Sequence, residues 1–309
     1  MSRITHLNEV VRDPSSVVTV GTFDGVHKGH KVLINKVVSI ARENRARSVL
    51  VTFDPHPRSI IHPGPDGVRL LTTLRERCDT LQEMGIDEMV VVPFDRDFSL
   101  LDSETFIRKI LWEKIGLKHY IIGYDHQFGR NREGSIDTVK NLSKEIGFTL
   151  HIVTEQEVGN RKVSSSLIRR ALEQDGDVGL ASKLLGNLYR LSGTVVHGSS
   201  RGTEIGFPTA NIRPDHPDKV VPLKGVYAVL VYYKMREFKG MMNIGVRPTF
   251  NERETTLEVH IFNLNEDLYG QEIEIRFVSR VRDEINFGSR EELIEQLKRD
   301  RVRCFEILG

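Results

Sequence analysis

The sequence has little cysteine, little tryptophan and almost no net charge. Only two cysteines and one tryptophan occur in 309 residues. Cys78 and Cys304 are far apart and in no C-x-x-C pattern, which argues against a disulfide framework and a cysteine-based zinc site. Lys and Arg number 44 against 43 Asp and Glu, a formal charge of +1. A protein that coats nucleic acid is usually far more basic, so no nucleic-acid partner is expected. Long apolar runs are missing too. The longest, near Met89–Phe94, falls far short of the roughly 20 residues that cross a bilayer. The amino terminus lacks the apolar core of a signal peptide. No membrane partner is expected, and the expected location is the cytoplasm.

What is present is ordinary globular composition, 39% apolar and 28% charged, enough for about two domains at roughly 150 residues each. Up to about Leu180 the chain alternates strand and helix signals. Ser48–Phe53 is a nearly continuous apolar run, as expected of a strand buried on both faces of a parallel sheet. Glu88–Val92 and Tyr120–Ile122 read the same way. Between them, Thr73 and Glu76 form a capping-box pattern, Leu74, Cys78 and Leu81 share one face, and Gly85 ends the segment. Phe106, Ile110 and Leu111 stripe the next helix, which Gly116 closes. Another helix runs from about Ser135 to Gly147, before a strand at Phe148–Val153. Repeated strand–helix units predict right-handed crossovers and an open, doubly wound α/β sheet. Ligands of such sheets sit at the carboxyl ends of the strands.

Beyond about Gly186 the rhythm changes. Val226–Tyr233, Leu257–Phe262 and Ile273–Val278 alternate with period two and have no long helix between them. Leu257, Val259 and Ile261 point one way, Glu258, His260 and Phe262 the other. Turn-rich stretches at Arg213–Lys219 and Asn263–Gln271 separate these strands, as in a small antiparallel barrel or sandwich. A closing helix follows, with Ser289 and Glu292 as its capping box and Leu293 and Leu297 on its buried side. The domain boundary falls between Ala181 and Tyr189, giving domains 1–183 and 187–309.

Two stretches carry chemistry. The strand Val17–Gly21 runs into Gly21-Thr-Phe23-Asp24-Gly-Val-His27-Lys-Gly29-His30 and then an apolar-periodic helix. Glycines let backbone approach a ligand closely, and a helix amino terminus offers free N–H groups to a phosphate. His27 and His30, three apart, share one face at that terminus. Imidazole N–H donors there can stabilise charge developing on a transferred phosphate. Zinc fits less well, since no third ligand is evident. In the second stretch, Gly206-Phe-Pro208-Thr209-Ala-Asn211, the residues alone describe a turn. They also supply two short oxygen ligands suited to Mg²⁺.

The first string resembles the H-x-G-H signature of the nucleotidylyltransferase superfamily. G-x-F-D-G-x-H-x-G-H is similar to one branch of it, the bacterial bifunctional riboflavin kinase/FMN adenylyltransferases, or FAD synthetases. Thr52-Phe-Asp-Pro-His56-Pro57 resembles the family's F-x-P-H-P. Ile122-Gly-Tyr-Asp125-His126-Gln-Phe-Gly129 resembles its G-x-D/N-F-x-F-G, with His126 where Phe is usual. Val163-Ser-Ser165-Ser166-Leu-Ile-Arg169 resembles its I-S-S-T-x-I-R. In the second half, G-F-P-T-A-N resembles the riboflavin kinase signature. The likeness continues through Gly225–Ala228, Asn243–Phe250, Leu257–Phe262 and Asp267–Gly270.

The resemblance implies a Rossmann-like nucleotidylyltransferase domain followed by a small antiparallel β-barrel kinase domain with a carboxyl-terminal helix. It implies phosphorylation of riboflavin to FMN and adenylylation of FMN to FAD, with ATP, riboflavin and FMN as substrates and Mg²⁺ as cofactor. It places His27 and His30 in adenylyl transfer, and Gly21, Phe23, Asp24, Ser165, Ser166 and Arg169 around ATP. His56 and Asp125 fall near FMN or nucleotide. Thr209 and Asn211 hold metal-bound nucleotide, and Glu258 is the base toward the riboflavin 5′-hydroxyl. Departures cluster in the second module: Ser200 and Thr203 replace a Gly and an Arg, and Asn263 stands for a common Asp. Ile285-Asn286 sits where basic residues are common, and Leu188 replaces a common Pro. They motivate an alternative, an adenylyltransferase whose barrel binds flavin but is impaired as a kinase.

Overall fold

The computed structural model describes residues 3–62, 67–124, 129, 134–153, 157–158, 161–198, 201–248 and 253–309. The chain divides into two compact units, Met1–Ser164 and Ser165–Gly309.

The first unit is built on six strands: β1 (Arg3–His6), β2 (Ser16–Val20), β3 (Ser48–Asp54), β4 (Glu88–Pro93), β5 (Leu117–Gly123) and β6 (Thr149–Val153). They lie in the order β1-β4-β3-β2-β5-β6, with every neighbouring pair parallel. The sheet is doubly wound, because both of its faces are apolar and must be covered. Val17, Leu50, Met89, Val91 and Ile121 face helices α1 (Lys28–Asn44) and, beyond the short α2 (Pro57–Ile61), α3 (Leu74–Met84), which supply Ile34, Val37, Cys78 and Leu81. Their neighbours Val18, Val49, Val51, Val90, Val92, Tyr120 and Ile122 line a second core on the opposite face.

That second core is covered by residues after the short helices α4 (Arg96–Ser99) and α5 (Ser103–Thr105), and by α6 (Ile136–Ile146). The Phe106–Ile115 segment, read from sequence as an ordinary helix, is a π-helix closed by Gly116. Its buried residues are Phe106, Ile107, Leu111 and Ile115. Ile107, Leu111 and Ile115 recur every four residues and Phe106 and Leu111 are five apart, separations that the wider π turn accommodates on one face. The capping box at Thr73 and Glu76 is present in both directions. Ser135 and Gly147 cap the ends of α6 as expected. A two-stranded pair, β7 (Glu157–Val158) with β8 (Arg161–Lys162), completes this unit.

The sheet order matters for function. β2 leads to β3 and β4 on one side, while β5 and β6 lie on its other side. The order therefore reverses at β2/β5, and the crevice outside the carboxyl ends of those two strands is where such sheets bind ligands.

The second unit opens with α7 (Ser165–Glu173) and α8 (Val178–Leu185), two helices that the 183/187 boundary assigns to the first domain. Strands β9 (Tyr189–Val196), β10 (Ala210–Pro214), β11 (Gly225–Tyr233), β12 (Arg236–Pro248), β13 (Arg253–Ile261) and β14 (Glu272–Arg282) follow, with the short α9 (Arg201–Glu204) between β9 and β10. They close into a barrel in the order β10-β13-β12-β11-β14-β9, all antiparallel. Of the two architectures the alternation allowed, the chain adopts the barrel. α10 (Arg290–Leu308) starts at Ser289, whose side chain accepts the Glu292 N–H. Its fully buried residues are Asp300 and Cys304, while Leu293 and Leu297 are only half-buried. Arg282 of β14 forks onto Asp300 at 2.7–3.0 Å, so an ion pair at the helix–barrel contact satisfies the buried carboxylate.

Candidate functional site

In the first unit, β2 ends at Val20 and the chain turns sharply before α1. Phe23 and Val26 both sit at positive φ, 47° and 41°. Such backbone is rare for a bulky residue and a true outlier for a β-branched one, and strain of this kind gathers at functional sites. Both side chains are buried, so packing holds the turn. His27 is the N-cap of α1: its Nδ1 accepts the His30 N–H at 3.3 Å. In the neutral ring the proton must then reside on Nε2. The two imidazoles stack with centroids 3.6 Å apart and 14° between planes, and Phe23 meets His30 edge-on at 5.0 Å. Gly29 is the residue that permits this, because a Cβ there would stand 3.3 Å from the His27 ring.

Electrostatics keep the pair neutral. Burial pulls His27 down to about 4, only partly opposed by the Asp24 charge. His30 lies well below its usual value because of burial, then His27 and Arg77. Both rings are thus uncharged at neutral pH, each carrying a single N–H donor.

Asp24 is fully buried and accepts the Leu71 and Thr72 N–H groups and the Thr72 hydroxyl at 2.9–3.2 Å. Thr72 Oγ1 in turn accepts the Gly25 N–H at 3.0 Å. Arg77, itself 3% exposed, donates to Thr52 Oγ1 at 2.8 Å and stands 3.9 Å from Asp24. Thr52 Oγ1 also donates to the Thr22 carbonyl at 3.2 Å. Asp24, Thr52 and Arg77 therefore stitch the turn after β2, the end of β3 and the start of α3 into one block beneath the histidines. Sequence reasoning missed Arg77 and Thr72, for a buried arginine on a helix has no signature in the pattern.

Gly21 follows β2, with Phe23 folded back so closely that a Cβ on Gly21 would lie 3.1 Å from its ring. His56, after β3, caps α2 by accepting the Arg58 N–H at Nδ1. Asp125 falls just beyond β5 and lies outside the described residues. Ser165, Ser166 and Arg169 lie in the first turns of α7, within the second unit; Ser166 is exposed and Arg169 half-buried.

The second unit gathers its own polar group. Asn211 on β10 is the register partner of Glu258 on β13, and Asn243 on β12 is the partner on the other side. Directly paired residues share a face, so Asn211, Glu258 and Asn243 form a row across three strands. Thr209 Oγ1 donates toward Glu258 Oε2 at 3.5 Å. Gly198, two residues beyond β9, passes so close that a Cβ would overlap the Asn211 amide at 2.0 Å. Asn243 was not among the sequence-predicted site residues, although it opens the Asn243–Phe250 stretch of the resemblance; its place beside Glu258 comes from the strand register. Of the departures, Asn263 occupies a left-handed turn position at φ 58°, a conformation that Asn tolerates. Ser200 lies outside the described residues, as does the Thr203 side chain.

Among the described residues, no group of three His, Cys, Asp or Glu side chains is placed to hold a metal. The oxygens of Thr209 and Asn211 beside Glu258 fit an ion that arrives mostly coordinated by phosphates and water, as Mg²⁺ prefers.

Comparison with known proteins agrees with both halves. The FAD synthetase family matches residues 10–167 and the riboflavin kinase family residues 185–308. The bifunctional riboflavin kinase/FMN adenylyltransferase of Bacillus subtilis is 36% identical, over 99% of this chain and 98% of its own. That of Haemophilus influenzae is 37% identical over 92% and 91%. A crystal structure described as a macrolide-efflux protein from Streptococcus pneumoniae superposes with a TM-score of 0.87 at 32% identity, covering 96% of this chain and 97% of that one. Among the described residues here, no helix is long and apolar enough to cross a membrane. With both family matches in order and relatives aligned end to end, the chain belongs to the bifunctional riboflavin kinase/FMN adenylyltransferase family.

Proposed function

We propose that this chain phosphorylates riboflavin to FMN at the barrel and adenylylates FMN to FAD in the first unit. In the first reaction the riboflavin 5′-hydroxyl attacks the γ-phosphorus of ATP and ADP leaves. Glu258 takes the hydroxyl proton, help typically worth 10²–10⁴-fold. Thr209 and Asn211 hold the nucleotide with its Mg²⁺, which when bound neutralises phosphate charge. In the second reaction an FMN phosphate oxygen attacks the α-phosphorus of a second ATP and pyrophosphate leaves. His27 Nε2–H and the His30 ring donate to the phosphate oxygens as charge builds. Gly21 and Phe23 shape the floor of this site, and Asp24 acts from beneath it, its oxygens already engaged by the Leu71–Thr72 backbone. His56 and Asp125 are assigned near FMN or nucleotide, and Ser165, Ser166 and Arg169 to ATP phosphates, on the motif resemblance.

The observation that carries the reading is that each compact unit holds a polar group of its own, stacked neutral histidines in one and the Thr209–Asn211–Glu258 group in the other. Incubation with riboflavin, ATP and Mg²⁺, with products resolved over time, tests it. FMN should appear first and FAD after it. FAD from added FMN, with riboflavin left untouched, would remove the kinase half.

A further inference from the structure

We infer that His260 is a positioning residue that fixes the Phe207–Thr209 loop relative to Glu258; this rests on the kinase reading above. Glu258 and His260 are two apart on β13, so both project from the same face. The His260 Nδ1 lies 2.7 Å from the Pro208 carbonyl oxygen. A carbonyl only accepts, so Nδ1 carries the proton. Pro208 has no N–H of its own, which leaves its carbonyl as the polar handle by which neighbouring structure can hold it. The ring is also wedged edge-on against Phe207 at 5.4 Å and Phe262 at 5.5 Å, and the Arg301 guanidinium sits 5.8 Å over Phe207.

The next residue along the chain is Thr209, whose hydroxyl reaches Glu258 at 3.5 Å. One strand thereby sets both sides of the site. It carries Glu258 directly, and it places Thr209 through the bond from His260 to Pro208. The loop is held at both ends: Phe207 N–H donates to the Gly202 carbonyl at 2.8 Å, and Ala210, which opens β10, is the register partner of Val259 on β13; the His260 bond acts on Pro208 between them. Without the His260 donor, Pro208 loses its tie to β13, and the placing of Thr209 against Glu258 loosens before the barrel does.

The test uses two variants of the full-length protein. His260→Phe keeps the aromatic contacts and removes the donor; His260→Asn places an amide N–H near the Nδ1 position and restores it. Loss of one net hydrogen bond corresponds to about a fivefold to tenfold effect. His260→Phe should raise the KM for Mg-ATP in riboflavin phosphorylation by that factor, with a smaller change in kcat. FMN adenylylation by the same protein should stay unchanged, and His260→Asn should recover most of the loss. Hydrogen exchange gives a readout apart from activity: amides of 205–212 should exchange several-fold faster in His260→Phe, with the other barrel strands unaffected. Unchanged KM and exchange in His260→Phe, or an Asn variant as impaired as Phe, would overturn the inference. Should the wild type fail to phosphorylate riboflavin, the kinase reading falls, while the exchange comparison still decides whether His260 anchors the loop.

Discussion

At the scale of single residues, the histidine pair ties chemistry to stability through one property, its neutrality. On the proposed reading, His30→Ala removes a donor to the developing phosphate charge. FAD formation should then fall by roughly two to three powers of ten while FMN formation from riboflavin is spared, measured by separating the two flavins. An equal loss of both products would mean that His30 is structural. Stability gives a second handle. His27 has a folded pKa of about 4 against 6.5 for the free side chain, so the unfolded chain binds the proton more readily. Its share of stability is complete above pH 6.5, falls as pH drops toward 4 and then levels, a loss of about 3 kcal/mol at most. Asn keeps an N-cap acceptor and does not titrate. His27→Asn should therefore flatten the decline between pH 6.5 and 4, read from denaturant unfolding followed by the single tryptophan, Trp112, which lies in the first unit. An unchanged slope would show that His27 does not carry it. The H-x-G-H spacing made the pair visible in sequence. Its stacking, its tautomer and the Arg77 block beneath it were not, because they depend on which residues β3 and α3 bring underneath.

At the scale of elements, what sequence reveals depends on whether an element's periodicity survives its contacts. The buried parallel strands and the Thr73 and Ser135 caps were legible because apolar runs and capping residues act locally. β12 was not: Gly240, Asn243, Gly245 and Pro248 interrupt its alternation, yet it pairs along its length with β11 and β13. β1 went unread because it is a four-residue edge strand with one buried side chain. α10 is the instructive case. Its expected apolar face, Leu293 and Leu297, is half-buried, and the deeply buried position is the carboxylate of Asp300, 2% exposed and forked by Arg282. Removing one member of a buried pair leaves the other charge uncompensated, at a cost of about 3–5 kcal/mol. Asp300→Ala should therefore lower the thermal transition of the second unit, seen by far-UV circular dichroism, while the Trp112 transition stays in place. A Trp112 shift of equal size, or no shift in either signal, would show that this ion pair does not hold the helix to the barrel.

At the scale of the whole molecule, the family matches and the compact units divide the chain differently, and stability decides between them. The FAD synthetase match ends at residue 167 and the riboflavin kinase match begins at 185, which leaves most of α7 and all of α8 but Leu185 outside both. The compact division falls after Ser164 and gives both helices to the barrel unit. Within that unit the Leu172 carbonyl accepts the Leu223 N–H at 2.8 Å. Ile168, Ala171, Leu172, Val178, Ala181, Leu184 and Leu185 are all buried. A fragment beginning at residue 184 discards most of these side chains, and each large apolar one is worth about 1.5–3 kcal/mol of burial. That sum rivals the whole stability of a small domain. The fragment 165–309 should therefore fold and phosphorylate riboflavin alone, whereas 184–309 should melt far lower or fail to fold. Glu258→Ala in the longer fragment should abolish its activity, and the same change in the full-length protein should spare conversion of added FMN to FAD. Circular dichroism melts and a flavin product assay on both fragments supply the measurement. Equal stability of the two fragments would return α7 and α8 to the first domain. A folded 165–309 without kinase activity, or loss of FMN adenylylation in full-length Glu258→Ala, would show that the two sites do not work independently.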